Sequence, residues 1–137
     1  MGLVKNYATT FYEWLSGFAS TFRSPILSNM FDEENVRPNE YIEYSAVVSA
    51  FNTEFIQPIT IYSQSTSFNK VLEIVDAIEN VVGENGVRVE DDWGYMTIYK
   101  GNPFYQDKPD EDDTIRAGYV NFTIRVFEKG DNLWLQV

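Results

Sequence analysis

The chain has 137 residues, and its content of 44% apolar and 16% aromatic residues excludes a disordered protein. It has no cysteine and no histidine, which excludes disulfides, thiolate metal sites and the usual serine triad. A net charge of −11 disfavours nucleic acid and anionic membranes as partners, because both require lysine and arginine at the contact. We therefore expect a soluble intracellular protein that is not an enzyme and that has no metal or cofactor.

The N-terminal segment 1–31 is predicted to be an amphipathic helical segment. Apolar residues recur at intervals of three and four from Leu3 to Phe22, which is the spacing of one helix face. Ser24-Pro25 should end the helix, because a residue before proline avoids the helical conformation. The apolar stripe either packs on the chain's own sheet or, around Trp14 and Phe18, docks on a neighbouring subunit.

The next region begins with two predicted strands. Residues 41–51 and 55–62 alternate apolar and polar side chains, and residues 52–54 suit a turn, so together they predict a β-hairpin. Pro58 lies inside the second strand and cannot donate a ladder hydrogen bond. We therefore expect that strand to be an edge strand or to contain a bulge at Pro58.

A second amphipathic helix is predicted at 67–82. Ser67 suits the N-cap position and Gly83 suits the C-terminal cap. The predicted apolar stripe comprises Phe68, Val71, Leu72, Val75, Ile78 and Val82. This spacing indicates a helix that covers one face of a sheet.

The C-terminal part predicts further strands joined by turns. The segment 91–94 resembles a hairpin turn, and Gly101-Asn102-Pro103 is a second turn signal. An acidic loop at 107–113 is followed by strict period-2 alternation over 119–127, the pattern of a strand with one buried face. Residues 133–137 suit a last short strand or a tail.

These elements predict an α+β fold, with a mostly antiparallel sheet and two main helices packed on one face. Successive strands with short connections pair antiparallel, and two apolar helix stripes need a sheet face to cover. No linker interrupts the chain, so residues 1–137 are predicted to form a single domain, with the sheet and the central helix in 41–137.

The acidic loop carries Asp107, Asp110, Glu111, Asp112 and Asp113. A calcium loop of the EF-hand type needs alternating oxygen ligands, a central glycine and a closing glutamate. Pro109 interrupts that spacing and no glycine follows, so a metal site is disfavoured. A solvated loop and a loop that faces a partner or a pore both remain open.

Two other clusters have structural interpretations that are more plausible than functional ones. Glu90, Asp91 and Asp92 could form an acid–base pair, but the pattern lacks a cleft and favours a hairpin turn. Several aromatic residues could form a stacking platform for a sugar or a base, although aromatics on a sheet usually pack into the core or pair across strands. These aromatics are Trp93, Tyr95, Tyr99, Phe104 and Tyr105.

The chain from about Tyr41 to Glu128 resembles the small tail-completion, or tail-terminator, proteins of long-tailed bacteriophages and prophages. The resemblance depends on the strand 55–62 with its connection into the second helix, on 98–104, and on 106–113 followed by 116–119. It implies a non-enzymatic structural protein that forms a ring at the head–tail junction of the virion after assembly in the bacterial cytoplasm. Its implied partners are further copies of itself, the tail-tube protein and the head connector, with DNA passing through the ring without specific binding.

On this hypothesis, the candidate subunit or channel interface comprises Phe104, Asp107, Asp110, Glu111, Asp112, Asp113, Arg116, Trp14 and Phe18. The main alternative is a small ligand- or glycan-binding module that uses exposed aromatics. A carboxylate-dependent hydrolase is the third hypothesis.

Overall fold

A computed structural model describes residues 2–49, 53–110 and 112–129. Two α-helices and six strands are present in this part of the chain. In chain order they are α1 (Leu3–Ser16), β1 (Ser20–Arg23), a 3-10 turn (Ser28–Met30), β2 (Glu40–Tyr44), β3 (Phe55–Ser63), α2 (Asn69–Val82), β4 (Val87–Asp91), β5 (Gly94–Lys108) and β6 (Arg116–Glu128).

The six strands form one sheet in the order β1-β2-β3-β6-β5-β4. Only β1 and β2 pair parallel, and every other neighbouring pair is antiparallel. The sheet curls into a half-barrel, and both helices contribute to the core on its inner face. The predicted α+β fold is therefore confirmed, with the addition of one parallel pair.

The inner face of the sheet is apolar because alternate side chains of each strand point to it. In β3 the odd-numbered residues from Phe55 to Ser63 are buried, and in β6 the even-numbered residues from Val120 to Val126 are buried. Tyr7, Phe11 and Leu15 of α1 pack on this face in the same core as the buried residues of α2. Those are Val71, Val75, Ile78 and Val82.

The second predicted helix is confirmed, although it begins at Asn69 rather than at Ser67. The predicted N-cap is wrong, because Phe68 occupies the N-cap position and no side chain caps it. The Ser67 hydroxyl instead accepts a hydrogen bond of 3.1 Å from the Asn69 backbone N–H, in the turn that leads into the helix. At the other end, Gly83 has a φ of 65°, and its N–H donates to the Glu79 carbonyl at 2.8 Å. A left-handed residue at this position is easiest for glycine. Leu72 differs from the prediction, since it is 39% exposed.

The predicted extent of the first helix is wrong. α1 ends at Ser16, and Ser20–Arg23 forms β1, which carries Phe22 into the sheet. The cause is a non-local interaction, because β1 pairs parallel with β2 over four residues. The backbone N–H of Ser24 then extends this contact by donating to the Tyr44 carbonyl at 2.8 Å.

The predicted hairpin is only partly correct. β2 and β3 do pair antiparallel, but β2 ends at Tyr44, and residues 45–49 are not in a strand. Residues 50–52, which include part of the predicted turn, lie outside the described residues. The prediction of an edge strand or a bulge at Pro58 is wrong, because β3 lies between β2 and β6 and its register with β6 continues through Pro58. The pairing of β3 with β2 covers only Thr60–Ser63, so no ladder hydrogen bond to β2 is required from Pro58.

The strand–loop–strand prediction is confirmed, with two differences. Gly101-Asn102-Pro103 lies inside β5 rather than at a turn, and the register with β6 shifts between Lys100 and Tyr105. This is a bulge, and the Asn121 side-chain amide stabilises it by donating to the Pro103 carbonyl at 3.0 Å. β6 begins at Arg116, earlier than the alternation predicts. The predicted segment 133–137 lies outside the described residues.

Candidate functional site

The candidate site occupies the far end of the β5–β6 hairpin. After the bulge, the pairing continues from Tyr105 opposite Val120 to Lys108 opposite Ala117. We call residues 107–113 the acidic tip; Glu111, one of the predicted site residues, lies outside the described residues. Asp110, Asp112 and Asp113 are exposed. The long hairpin thus carries the predicted acidic residues together at one end of the sheet.

Two carboxylates of the acidic tip shape its turn. Asp112 accepts hydrogen bonds from both the backbone N–H and the hydroxyl of Thr114, at 2.8 and 2.6 Å. These bonds lower the pKa of Asp112, with the hydroxyl contact contributing most. Asp110 accepts a bond of 2.9 Å from the Asp112 backbone N–H. These two carboxylates therefore stabilise the turn at Asp112 and Thr114 while their charges remain in solvent.

Arg116 and Asp107 fasten the base of the acidic tip. The Arg116 guanidinium donates to the backbone carbonyls of Asp113 and Ile115, both at 3.0 Å, and lies 5.9 Å from the centre of the Phe68 ring. Asp107 accepts a bond of 2.6 Å from the Tyr105 hydroxyl. Burial raises the pKa of Tyr105, and the bond to Asp107 raises it further. Both predicted residues thus have structural contacts within their own subunit.

The three aromatic residues of the predicted interface lie apart from the acidic tip. Trp14 lies 5.6 Å from the ring of Phe122 and 5.1 Å from that of Phe18, and Phe104 lies 6.4 Å from Phe122. Trp14, Phe18 and Phe104 are all half-buried against the core. The predicted site residues therefore form two groups, a charged group at the tip and an aromatic group around Phe122.

The remaining acidic cluster has a structural use. Glu90 pairs with Arg88 at 2.7 Å, and Asp91 accepts from the Thr10 hydroxyl at 3.1 Å and from the Asp92 backbone N–H at 2.8 Å. These contacts fasten the β4–β5 turn to α1. In the described part of the chain, no group of three or more Asp, Glu, His or Cys side chains could hold a metal ion.

The predicted aromatic platform is divided among separate contacts. The Trp93 indole N–H donates to the Thr10 hydroxyl at 2.9 Å, while Tyr95 stacks on Phe127 at 4.6 Å. The Arg88 guanidinium covers the Tyr95 ring at 3.7 Å. Trp93 therefore contacts α1, whereas Tyr95 lies between Phe127 and Arg88, so these two predicted platform residues have different neighbours.

A second aromatic cluster, which the sequence analysis missed, lies on the outer face of β1, β2 and β3. Tyr41 stacks on Tyr62 at 5.0 Å and meets Phe22 at 6.1 Å, and Phe31 packs on Phe22 at 5.5 Å. Arg37 lies over the Phe31 ring at 4.9 Å. Segment 24–39 therefore covers this part of the outer face. The sequence does contain a signal for this cluster. Tyr41 and Tyr62 occupy positions in two neighbouring strands where the alternation would place a polar, outward side chain.

The described helices include none that is long and apolar enough to cross a membrane. Comparison with known proteins found neither a matching family model nor a significantly similar curated protein.

Proposed function

We propose that the chain is a non-enzymatic structural protein of a long-tailed bacteriophage or prophage, and that it forms a ring at the head–tail junction. The ring would complete or cap the tail tube and join it to the head connector. The observation that carries the proposal is the acidic tip at the end of a long hairpin, where the described residues Asp110, Asp112 and Asp113 are exposed. The part of the chain that resembles tail-completion proteins includes this segment, at residues 106–113.

The charge of the chain supports this role. A ring that surrounds DNA must let the phosphates pass, and binding to phosphates requires lysine and arginine. A chain with a net charge of −11 would line a channel without retaining the DNA. The exposed carboxylates Asp110, Asp112 and Asp113 are then suited either to the channel wall or to a contact with a neighbouring subunit.

The organisation of the tip supports the same proposal. Its described residues are held by hydrogen bonds within the chain, from the side chains of Asp110 and Asp112 in the tip and of Arg116 beside it. A preorganised loop loses less conformational entropy on assembly than a disordered one. Such a loop is suited to a contact that must form many times in one particle.

The test is a phage that carries this gene with the tip neutralised by Asp110→Asn, Asp112→Asn and Asp113→Asn. Asparagine keeps the side-chain oxygen that Asp110 and Asp112 use in the turn, so the fold is retained and only charge is removed. We expect electron micrographs to show separate heads and tails, with a large loss of titre.

The matched control removes the same charge from exposed positions of α2 and its C-terminal turn, by Asp76→Asn, Glu73→Gln and Glu84→Gln. We expect normal particles from this control. A tip-neutralised phage with joined particles and wild-type titre would contradict the proposed role of the tip.

A further inference from the structure

Strand β4 is one of the two edges of the sheet. It comes last in the order of the six strands, and in the described part of the chain it pairs only with β5. In an antiparallel edge strand, every second residue directs its backbone N–H and C=O away from the neighbouring strand. These groups of β4 are therefore a template for one more strand.

The core is only partly closed beside β4. Val87 and Val89 belong to the apolar core and are half-buried. Their cross-strand partners on β5, Ile98 and Met96, have 0% exposure. A further strand beside β4 would place side chains against Val87 and Val89 and extend the core in that direction.

The chain itself contains one segment that is long enough to be this strand. Four parts of the chain lie outside the described residues, namely Met1, 50–52, Glu111 and 130–137. Because β4 has 5 residues, a strand that covers it needs about the same number. Of the four parts, only 130–137 has that length.

The last described residues bring the chain to the end of β4. Asp91, Gly94 and Glu128 lie in one row across β4, β5 and β6. The next residue, Lys129, donates its backbone N–H to the Trp93 carbonyl in the β4–β5 turn at 2.9 Å. The segment that follows Lys129 therefore starts beside this turn.

The connection from β6 to the far side of β4 is short enough for this chain. The far side lies three strand spacings from Glu128, about 14 Å. The extended chain from Glu128 to Leu133 spans up to about 17 Å. Residues 130–132 can thus pass the β4–β5 turn, and Leu133 is then level with Asp91.

The sequence of 130–137 suits this position. Gly130-Asp131-Asn132 has the composition of a turn. After it, Leu133, Leu135 and Val137 alternate with Trp134 and Gln136, which is the pattern of a strand with one apolar face. A strand that starts at the turn runs away from it, whereas β4 runs towards it, so the two would be antiparallel.

We propose that residues 133–137 form a seventh strand, which pairs antiparallel with β4 of the same chain. The cross-strand pairs are Leu133 with Asp91, Leu135 with Val89, and Val137 with Val87. Directly opposite residues share a face of the sheet, so Leu135 and Val137 join the two valines on the inner face. Gln136 lies opposite Arg88 on the outer face.

This strand covers an edge that could otherwise pair with a strand of another chain. Self-association of the protein is then left to other surfaces. The docking site goes beyond the proposed ring function and is independent of it, because neither the acidic tip nor its charge takes part.

The first experiment uses an introduced cysteine pair, which is unambiguous because the chain has no cysteine. Arg88→Cys combined with Gln136→Cys should form a disulfide within one chain on mild oxidation. Directly opposite Cα atoms in an antiparallel pair are about 4.5 to 5.5 Å apart, which a disulfide can bridge. Glu73→Cys combined with Gln136→Cys is the control and should stay reduced, since Glu73 is exposed on α2. Intact mass and non-reducing gels give the result.

The second experiment tests which face of the strand is apolar. Leu135→Asp places a charge among the inner-face side chains, so amide exchange of the β4 residues, followed by NMR, should become about tenfold faster. A chain that stops at Asn132 should show the same acceleration. Gln136→Asp is the matched control, because it adds the same charge one position further, opposite Arg88, and it should leave the exchange unchanged.

The outcomes decide between the possible occupants of the β4 edge. A disulfide within one chain, with faster exchange in Leu135→Asp alone of the two aspartate variants, is the expected result. A disulfide that forms only between two chains would assign the β4 edge to a second copy and would overturn the proposal. Equal exchange in wild type, Leu135→Asp and the shortened chain would overturn it too. Ring formation enters neither experiment, so the proposed function is tested separately.

Discussion

The Tyr7 hydroxyl donates a hydrogen bond of 2.8 Å to the side-chain oxygen of Gln57, deep in the core between α1 and β3. Both residues have 0% exposure. The same Gln57 oxygen accepts from the Val47 N–H at 2.9 Å, and its amide nitrogen donates to the carbonyls of Ser45 and Pro58. One buried amide thus joins α1, β3 and the segment that follows β2.

Gln57→Leu should therefore destabilise the protein strongly. The substitution leaves the Tyr7 hydroxyl and the Val47 N–H without their partner in an apolar core, at a cost of about 2 to 4 kcal/mol. Tyr7→Phe removes one donor and leaves Val47 still bonded to Gln57, so it should cost only about 1 kcal/mol. Urea unfolding measures both values. Equal stability of wild type and Gln57→Leu would show that the network contributes nothing.

Stability should fall at alkaline pH. The pKa of Tyr44 is raised to about 12, mainly because the phenol is buried. The nearby Arg23 lowers this pKa and Tyr12 raises it, both by less than burial does. The unfolded chain loses this proton at a pH of about 10. Below that pH the contribution of Tyr44 to stability is fully present, and it is lost as the pH rises towards 12.

The size of this effect can be isolated with Tyr44→Phe. Wild type should lose about 1 kcal/mol more than the variant between pH 9 and about pH 11, because the variant has no phenol to ionise at position 44. Urea unfolding at the two values of pH gives the comparison. Both proteins keep Tyr7, whose pKa is also raised by burial. The stability of the variant should therefore still fall with rising pH, by less than the stability of the wild type. If the free energies of unfolding of wild type and Tyr44→Phe changed by the same amount between the two values of pH, the effect could not be assigned to Tyr44.

Gly94→Ala should be severely destabilising. Gly94 follows the β4–β5 turn with a φ of 154°, and an added Cβ would meet the carbonyl oxygen of Phe127 in the neighbouring strand. Both the backbone conformation and the contact oppose a side chain, so we expect a loss of more than about 2 kcal/mol in thermal or urea unfolding. Gly17→Ala is the control, since its φ is −71° and its added Cβ would make only an ordinary contact. It should change stability by less than about 1 kcal/mol.

The turn in the acidic tip should depend on the oxygen of residue 112 rather than on its charge. Asp112→Ala leaves the Thr114 N–H without its acceptor, whereas Asp112→Asn retains one. Amide exchange at Thr114, followed by NMR, should accelerate in the alanine variant and change little in the asparagine variant. Global stability should shift by less than about 0.5 kcal/mol in both, because the site is on the surface. Equal rates of amide exchange at Thr114 in the two variants would contradict the role of the residue 112 side-chain oxygen in the turn.

The sequence was sufficient for elements that local patterns specify. α2 has a buried apolar stripe of Val71, Val75, Ile78 and Val82 and is followed by Gly83, and β6 alternates regularly from Val120 to Val126. The β4–β5 turn and the acidic tip also follow from short-range signals. The acidic residues of the tip are close in sequence, within 107–113, so the sequence alone was enough to predict them as one site.

Elements that depend on distant partners could not be predicted. Phe22 continues the helical spacing of α1, but its segment forms a strand because β2 lies beside it. Gly101 to Pro103 has the composition of a turn, and the neighbouring β6 converts it into a bulge.

The most direct test of the account is the mass of purified wild-type protein with and without tail tubes. Mass photometry with negative-stain microscopy should show closed rings of a fixed number of copies, either at high protein concentration or on the end of each tube. A chain that stays monomeric under both conditions, and that leaves tube ends bare, would contradict the proposal that this protein acts by assembly.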